Sequence, residues 1–376
     1  MTTHVFIVNE QSFKIHLEYL FVGTGSKDKG VDFNGIIETS LHPQSENGLI
    51  SMMSDFSRIR INDFVIFYVQ SSKGEEGKFY GIYQINSEPF LEQKGDGQYL
   101  YNELGKNLTF RALIKPYKIY AEGITEWEAL DEIKNIQSPN QMLWSLIYRK
   151  LKGNRGNTMI TIYEAERLFS LIKTKNNNST IIGKSYTYNN NKQIALNSVQ
   201  KKYSGNTLNK FDILPRLISK KNKKQAFESH LQMFITQNLC KHKSLDKALK
   251  VDKKTFEWLG NEVSCGVGMQ RIDIMFSQNI DNIDREIVPI ELKAVPASIN
   301  NIRQLSRYID WIEQYYTPNR PSTIRPVLIC PASNLSATTK QAFYDFNSKS
   351  NGRYLPLEYI EFTDNGKDII FKNIAY

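Results

Sequence analysis

Residues 286–293 read Glu-Ile-Val-Pro-Ile-Glu-Leu-Lys. Four branched or long apolar side chains (Ile287, Val288, Ile290 and Leu292) in so short a run predict a strand entering a core. The stretch "SINNIRQLSRYIDWIEQYY" follows with helical periodicity. A buried strand feeding an amphipathic helix, with further strands on either side, confines this half of the chain to an α/β sheet. Side chains alternate along a strand, so Val288, Ile290 and Leu292 share one face, while Glu291 and Lys293 share the other. An isolated Glu-x-Lys is most often the polar face of an ordinary strand, so the surrounding residues decide its meaning.

Upstream, "RIDIMF" predicts another strand, with Ile272, Ile274 and Phe276 on one face and Asp273 on the opposite one. If the two strands are neighbours, Asp273, Glu291 and Lys293 gather on one surface. Two carboxylates there suit Mg²⁺, a hard cation that prefers oxygen ligands. The lysine then orients or activates the attacking water and stabilises charge developing on a phosphate. Glu228 lies on the preceding predicted helix, "KQAFESHLQMFITQNL", one residue after the apolar Phe227, and is a third candidate carboxylate. Gln304 and Tyr308 are four apart and share a helix face, from which they can hydrogen-bond the lysine, a water or a phosphate. Further strands are predicted in "IRPVLICPA", "PLEYIEFTD" and "KDIIFK", with a helix in "SATTKQAFYDFNSK".

Taken in order, these residues resemble the PD-(D/E)xK nuclease superfamily, and within it the catalytic domain of the NucS/EndoMS family. The matching positions are Glu228, "GVGMQRID" ending at Asp273, "ELK" at Glu291–Lys293, and "QLSRY" with Gln304 and Tyr308. One departure is that Gln270 and Arg271 stand before the Ile-Asp step, where that family has a glycine close by. The resemblance implies a restriction-endonuclease-like mixed sheet flanked by helices, over residues 223–376. It also implies Mg²⁺- or Mn²⁺-dependent hydrolysis of DNA phosphodiesters, with Glu228, Asp273 and Glu291 on the metal and Lys293 on the water.

Residues 1–172 alternate short aromatic-rich strands with turns. "DFVIFYVQ" and "FYGIYQI", joined by "SSKGEEGK", predict a β-hairpin. Helices begin at Thr125 and Thr161, each with a glutamate three residues on, the pattern of a capping box. "HVFIVNEQSF", "VDFNGI…RINDFVIFYVQ" and "KFYGIYQI" resemble PUA-like domains of the EVE and YTH type, which implies a β-barrel with helices. The resemblance also implies a cage that holds one modified base, often flipped from the duplex. Stacking a base on an aromatic face is worth roughly 1–3 kcal/mol. Candidate cage residues are Ser12, Phe13, Phe33, Asn34, Tyr68, Tyr80 and Trp144; each aromatic alone reads more readily as core than as cage, since the chain holds 20 Tyr and 20 Phe. The run "YRKLKGNRGNT" offers Arg149, Lys150, Lys152 and Arg155 as a strip for DNA phosphates. Residues 173–222 are rich in Asn and Lys and read as a linker or insertion, with one hairpin in "TIIGKSYTY".

A net charge of +9 favours a polyanionic partner. Three cysteines without a CxxC pair, and five histidines without an HExxH or HxH spacing, exclude a disulfide framework and make a zinc enzyme the wrong class. The start lacks a signal-peptide pattern and no apolar run reaches membrane-spanning length, so a cytoplasmic protein is expected. Overall an α/β (α+β) chain of two domains is predicted. The expected function is a modification-dependent restriction endonuclease acting on double-stranded DNA, as a homodimer because two strands must be cut. A mismatch or branched-DNA repair nuclease of the EndoMS type, or a sequence-specific type II enzyme, would carry the same catalytic half.

Overall fold

The computed structural model describes residues 1–25, 43–72, 74–92, 97–143, 145–151, 156–265, 270–280, 284–318 and 322–375. The chain forms two compact units. The first comprises Met1–Gln137 and Gln141–Asp212, the second Ser138–Asn140 and Ile213–Tyr376. No described helix is long and apolar enough to cross a membrane.

The first unit runs β1 (Thr3–Val8), α1 (Glu10–Tyr19), β2 (Phe21–Thr24), α2 (Pro43–Ser57), β3 (Phe64–Val69), β4 (Lys78–Ile85), β5 (Phe90–Leu91), α3 (Tyr101–Leu104), β6 (Phe110–Pro116), β7 (Ile124–Thr125), α4 (Glu126–Asp131), β8 (Asn157–Ile160) and α5 (Ile162–Lys175), then the hairpin β9 (Tyr186–Tyr188) and β10 (Ile194–Leu196). Its main sheet has the order β2-β6-β4-β3-β1-β8, with β5 beside β6 and β7 beside β4. β2, at one end of that order, lies against β1 near the other, so the sheet curls into a half-barrel. The predicted hairpin is β3 and β4, antiparallel with Val69 opposite Lys78. Both predicted capping boxes form: Thr161 with Glu164 opens α5, and Thr125 and Glu128 exchange backbone bonds of 2.9 and 3.0 Å.

Alternation along the strands divides the aromatics. Tyr68 and Phe79 lie on the face packed under α5, among Ile66, Leu168 and Ile172. Phe67 and Tyr80 take the other face, against Phe13 of α1. The segment set apart from the sequence as a linker does not stand apart. Through Asp212 it belongs to the first unit, and from Ile213 to the second. Three tyrosines explain this. Tyr186 is buried against Tyr83, Tyr188 packs on Phe13 and Tyr80, and Tyr203 packs on Phe21 and Phe90. Ion pairs Lys192–Glu10 (2.5 Å) and Lys201–Glu18 (2.6 Å) add to this seating. A polar composition concealed enough apolar ring area to offset the ordering of the segment.

The second unit runs α6 (Leu214–Asn222), α7 (Glu228–Asn238), α8 (Lys243–Ala248), β11 (Phe256–Ser264), β12 (Arg271–Asn279), β13 (Arg285–Leu292), α9 (Ile299–Trp311), β14 (Ser322–Ile324), β15 (Val327–Pro331), α10 (Ala337–Ser348), β16 (Glu358–Asp364) and β17 (Ile369–Ile374). The sheet order is β11-β12-β13-β15-β16-β17, with β14 beside β13. β11, β12 and β13 form an antiparallel meander. Helical crossovers α9 and α10 then make β13, β15 and β16 parallel, as long connections require. The fold is thus a mixed sheet with helices in both units.

Every residue of β13 is buried, so the strand is covered on both faces. Its Pro289 lacks an N–H and would break a continuous ladder. The fold accommodates it where the parallel neighbour changes, since β14 pairs with Arg285–Ile287 and β15 with Ile290–Leu292.

Candidate active site

β12 and β13 are adjacent, as the alternation argument requires, and Ile274 stands opposite Ile290. One step further along that ladder are Asp273 and Glu291. The polar face predicted for Glu291 is in fact interior: its side chain is fully buried. A carboxylate there is tolerated only if paired, because removing a charge from water uncompensated is very costly.

The pairing is supplied by Lys293, just beyond the end of β13. Its Nζ lies 2.7 Å from Glu291 Oε1, 3.3 Å from Glu228 Oε1 and 3.8 Å from Asp273 Oδ2. Three carboxylates from a helix and two strands therefore converge on one ammonium. Each is also fixed separately. Glu228, first residue of α7, accepts from the Ala294 N–H at 3.2 Å. Asp273 accepts from the Leu292 N–H at 2.8 Å. Glu291 accepts from the Tyr308 hydroxyl at 2.7 Å, and Gln304 Nε2 donates to that hydroxyl at 2.7 Å. The six residues singled out in the sequence form one connected cluster. Helix α9, opened by a Ser298–Asn301 capping box, carries the last two of them.

The electrostatics are crowded. Burial raises the proton affinity of the Asp273 carboxyl well above the usual range, and the Glu291 charge raises it further; Lys293 opposes both. Burial likewise raises Glu291, against the pull of Lys293 and Tyr308. Burial works to neutralise Lys293, but the three carboxylates outweigh it and hold the ammonium above its ordinary range. In this arrangement Lys293 is held as a cation by the carboxylates that face it. Two buried thiols border the cluster, Cys265 and Cys330, each pushed up to about 12 by burial and so inert.

Among the described residues, no group of three His, Cys, Asp or Glu side chains is arranged to hold a metal ion; the carboxylates surround an ammonium. The donor chemistry nevertheless suits a hard divalent cation. It offers three carboxylates, two of them with raised proton affinity, and a buried Glu291 Oε1 without an aligned hydrogen-bond donor.

Three side chains passed over in the sequence join the cluster. Gln232 Nε2 donates to the Asp273 carbonyl at 2.7 Å and to Glu262 Oε1 at 3.0 Å, and Arg271 Nη1 pairs with Glu262 at 3.0 Å. The i, i+4 spacing of Gln232 from Glu228 was the available signal. Glu262 had none, because β11 itself went unrecognised.

The proposed base cage does not assemble as one group. Phe13 and Tyr80 meet, with ring centroids 5.1 Å apart, and Tyr188 covers both at 5.0 and 5.6 Å. Both are fully buried. Tyr68 is on the opposite face of the sheet, its hydroxyl donating to Glu126. Ser12 is spent on the N-cap of α1, where its N–H donates to Asn9 Oδ1 at 2.8 Å and its hydroxyl to the same oxygen at 2.5 Å. Of the basic strip, Lys150 turns inward to Glu164 at 3.2 Å, so it is not presented to a phosphate. Arg149 lies in the turn Leu146–Lys150, with only its backbone described. Phe33, Asn34, Trp144, Lys152 and Arg155 lie outside the described residues.

No protein-family model matches the chain, and no curated protein matches it. Among solved structures, it is similar to a hypothetical protein from Leishmania major, at 9% identity and TM-score 0.29, over 46% of this chain and 96% of that one. It is similar to human THYN1 in complex with 5-methylcytosine containing DNA, at 10% identity and TM-score 0.27, over 46% of this chain and 98% of that one. A third similar structure, from Pseudomonas putida, has 11% identity and TM-score 0.27, over 45% of this chain and 98% of that one.

Proposed function

We propose that the chain is a metal-dependent endodeoxyribonuclease directed to DNA by a modified base. One observation carries the nuclease half: Glu228, Asp273 and Glu291 converge on Lys293 at the ends of adjacent strands. Three carboxylates beside one partly buried cation form the acid-and-cation set that metal-assisted phosphodiester hydrolysis can use. Glu228, Asp273 and Glu291 would hold Mg²⁺ or Mn²⁺. When bound, such an ion supplies Lewis-acid charge opposite the phosphate and acidifies water. Lys293 stays protonated, orients the attacking water and stabilises the charge that builds on the phosphate. Tyr308, held by Gln304, aims the Glu291 carboxylate and joins Lys293 in favouring its ionised form.

The reader half rests on the EVE- and YTH-like sequence motifs; the rings of Phe13, Phe67, Tyr80 and Tyr188 pack at tilted and edge-on angles in the first unit, with Phe13, Phe67 and Tyr80 buried, so a base would have to part them to enter. A 5-methyl or N-methyl group on the base adds apolar area that an aromatic wall favours. Cutting both strands calls for two active sites, hence a homodimer on the DNA.

The test is digestion, with Mg²⁺, of duplexes identical in sequence but differing in cytosine or adenine methylation and in hydroxymethylation. Selective cutting of a modified duplex is expected. Equal cutting of all removes the reader assignment and leaves a repair or type II nuclease. Asp273→Ala should abolish cleavage and spare DNA binding; persistent cleavage would place the chemistry elsewhere.

A further inference from the structure

Helix α7 reaches the sheet with two residues one turn apart. Glu228 contacts Lys293 and the Ala294 N–H, at the end of β13. Gln232, only 7% exposed, reaches β12 and β11 instead. The ladder between those strands pairs Asn261 with Ile274 and Val263 with Ile272, and omits the step between, where Glu262 and Asp273 stand. Glu262 holds φ +51°, the left-handed region that a residue with a side chain seldom enters inside a strand. The β-ladder is thus interrupted at the residue that carries the candidate metal-binding carboxylate. Gln232 closes the interruption. One amide nitrogen donates to the Asp273 carbonyl and to the Glu262 carboxylate, and Arg271 ties Glu262 back to β12.

We propose that Gln232 is a positioning residue for Asp273: its side-chain N–H takes the place of the missing ladder contact and fixes the backbone from which the Asp273 carboxylate projects. The inference rests on the nuclease reading above. Partners of this kind typically account for 10–100-fold in metal affinity or activity.

Two substitutions of similar length separate hydrogen bonding from packing. Gln232→Met keeps the reach and loses the donor; Gln232→Lys keeps a donor and adds a charge complementary to Glu262. Two readouts are taken on the full chain: Mn²⁺ affinity by calorimetry, and kcat and KM for cleavage of the preferred duplex. Gln232→Met is expected to weaken Mn²⁺ binding and to lower kcat by roughly 10–100-fold, with KM for DNA unchanged. Gln232→Lys is expected to recover most of both. If Gln232→Met matches the wild type, or Gln232→Lys is the worse of the two, the side chain only packs and the proposal is overturned. A wild-type chain that neither binds Mn²⁺ nor cleaves would overturn the nuclease reading itself, and this inference with it. Wild-type cleavage beside an unaffected Gln232→Met variant would overturn the positioning role alone.

Discussion

Tyr308→Phe removes one oxygen from the interior of the site, and its consequences can be worked through. The hydroxyl has a single proton and two acceptors at 2.7 Å, Glu291 Oε2 and the Arg271 carbonyl. The charged acceptor is the stronger partner. Glu291 is fully buried, and its remaining polar contact is the ammonium of Lys293. A hydrogen bond to an ionised group contributes about 1.5–3 kcal/mol. Because this bond favours the ionised form, losing it raises the Glu291 proton affinity further. On the proposed mechanism the carboxylate works deprotonated, so the acidic limb of the pH–rate profile should move toward higher pH. Stability shows the same linkage. At a pH where Glu291 is ionised in the wild type, the variant should be about 1.5–3 kcal/mol less stable. The gap should close as pH falls through the raised pKa, because a protonated Glu291 no longer needs the bond. The assays are single-turnover cleavage across pH with saturating Mn²⁺, and denaturant unfolding at matched pH values. An acidic limb that stays in place, with a stability gap that does not vary with pH, would refute the assignment of Tyr308 as a group that favours the ionised Glu291.

Three other outcomes are expected. Burial pushes His16 down to about 3 in the folded chain, below its ordinary value of 6.5, so the unfolded state binds more protons between the two; stability is full above about pH 6.5 and falls on acidification, by about 2 kcal/mol at pH 5. Thermal or denaturant melts of His16→Gln against wild type at the two pH values read this out, and His4, also held below its ordinary range by burial, adds in the same direction. At the far end of the second sheet, Arg325 pairs with both oxygens of Glu286 at 2.9 Å and with Glu358 at 2.9 Å; Arg325→Ala leaves the buried Glu286 with only the Gln278 amide, while Glu358 keeps Lys250, and should cost about 3 kcal/mol in urea unfolding, with no specific change in the metal requirement. Arg303 and Arg307 are exposed, one turn apart on α9 beside Gln304 and Tyr308; if they meet the DNA backbone, changing both to Ala should lower the slope of log K against log salt by about 1.8, at roughly 0.9 per phosphate, in metal-free binding titrations.

How much of this was legible follows from where each signal is stored. The site was legible because its residues are placed by local rules. Period two orients Glu291 and Lys293, period 3.6 groups Gln304 with Tyr308, and a helix start exposes Glu228. The burial of Glu291 was not, because it depends on which strands flank β13, and a strand covered on both faces is a tertiary outcome. Pro289 by itself suits an edge strand rather than a central one, and the handover from β14 to β15 explains its place. The seating of the 173–222 segment was hidden for the opposite reason. Average composition outweighed three individual tyrosines, yet a few rings seated on a curled sheet hold a polar segment in place. The interruption at Glu262 was the least accessible, since a left-handed residue inside a strand contradicts every propensity that a sequence reader applies.

That contradiction is itself informative. Local rules are broken where something other than folding is being optimised, and a strand is weakened only if another element restores what is lost. Here the broken step stands opposite Asp273, and the restoring group, Gln232, comes from the helix that also supplies Glu228. One helix thus fixes both the carboxylate it carries and the strand that bears the other. A shift of α7 along its axis would displace the Glu228 carboxylate and loosen Asp273 together. Substitutions that disturb the packing of α7 without touching either residue should therefore lower metal affinity more than they lower DNA affinity. Equal losses in both would show that the helix supports the fold and nothing more.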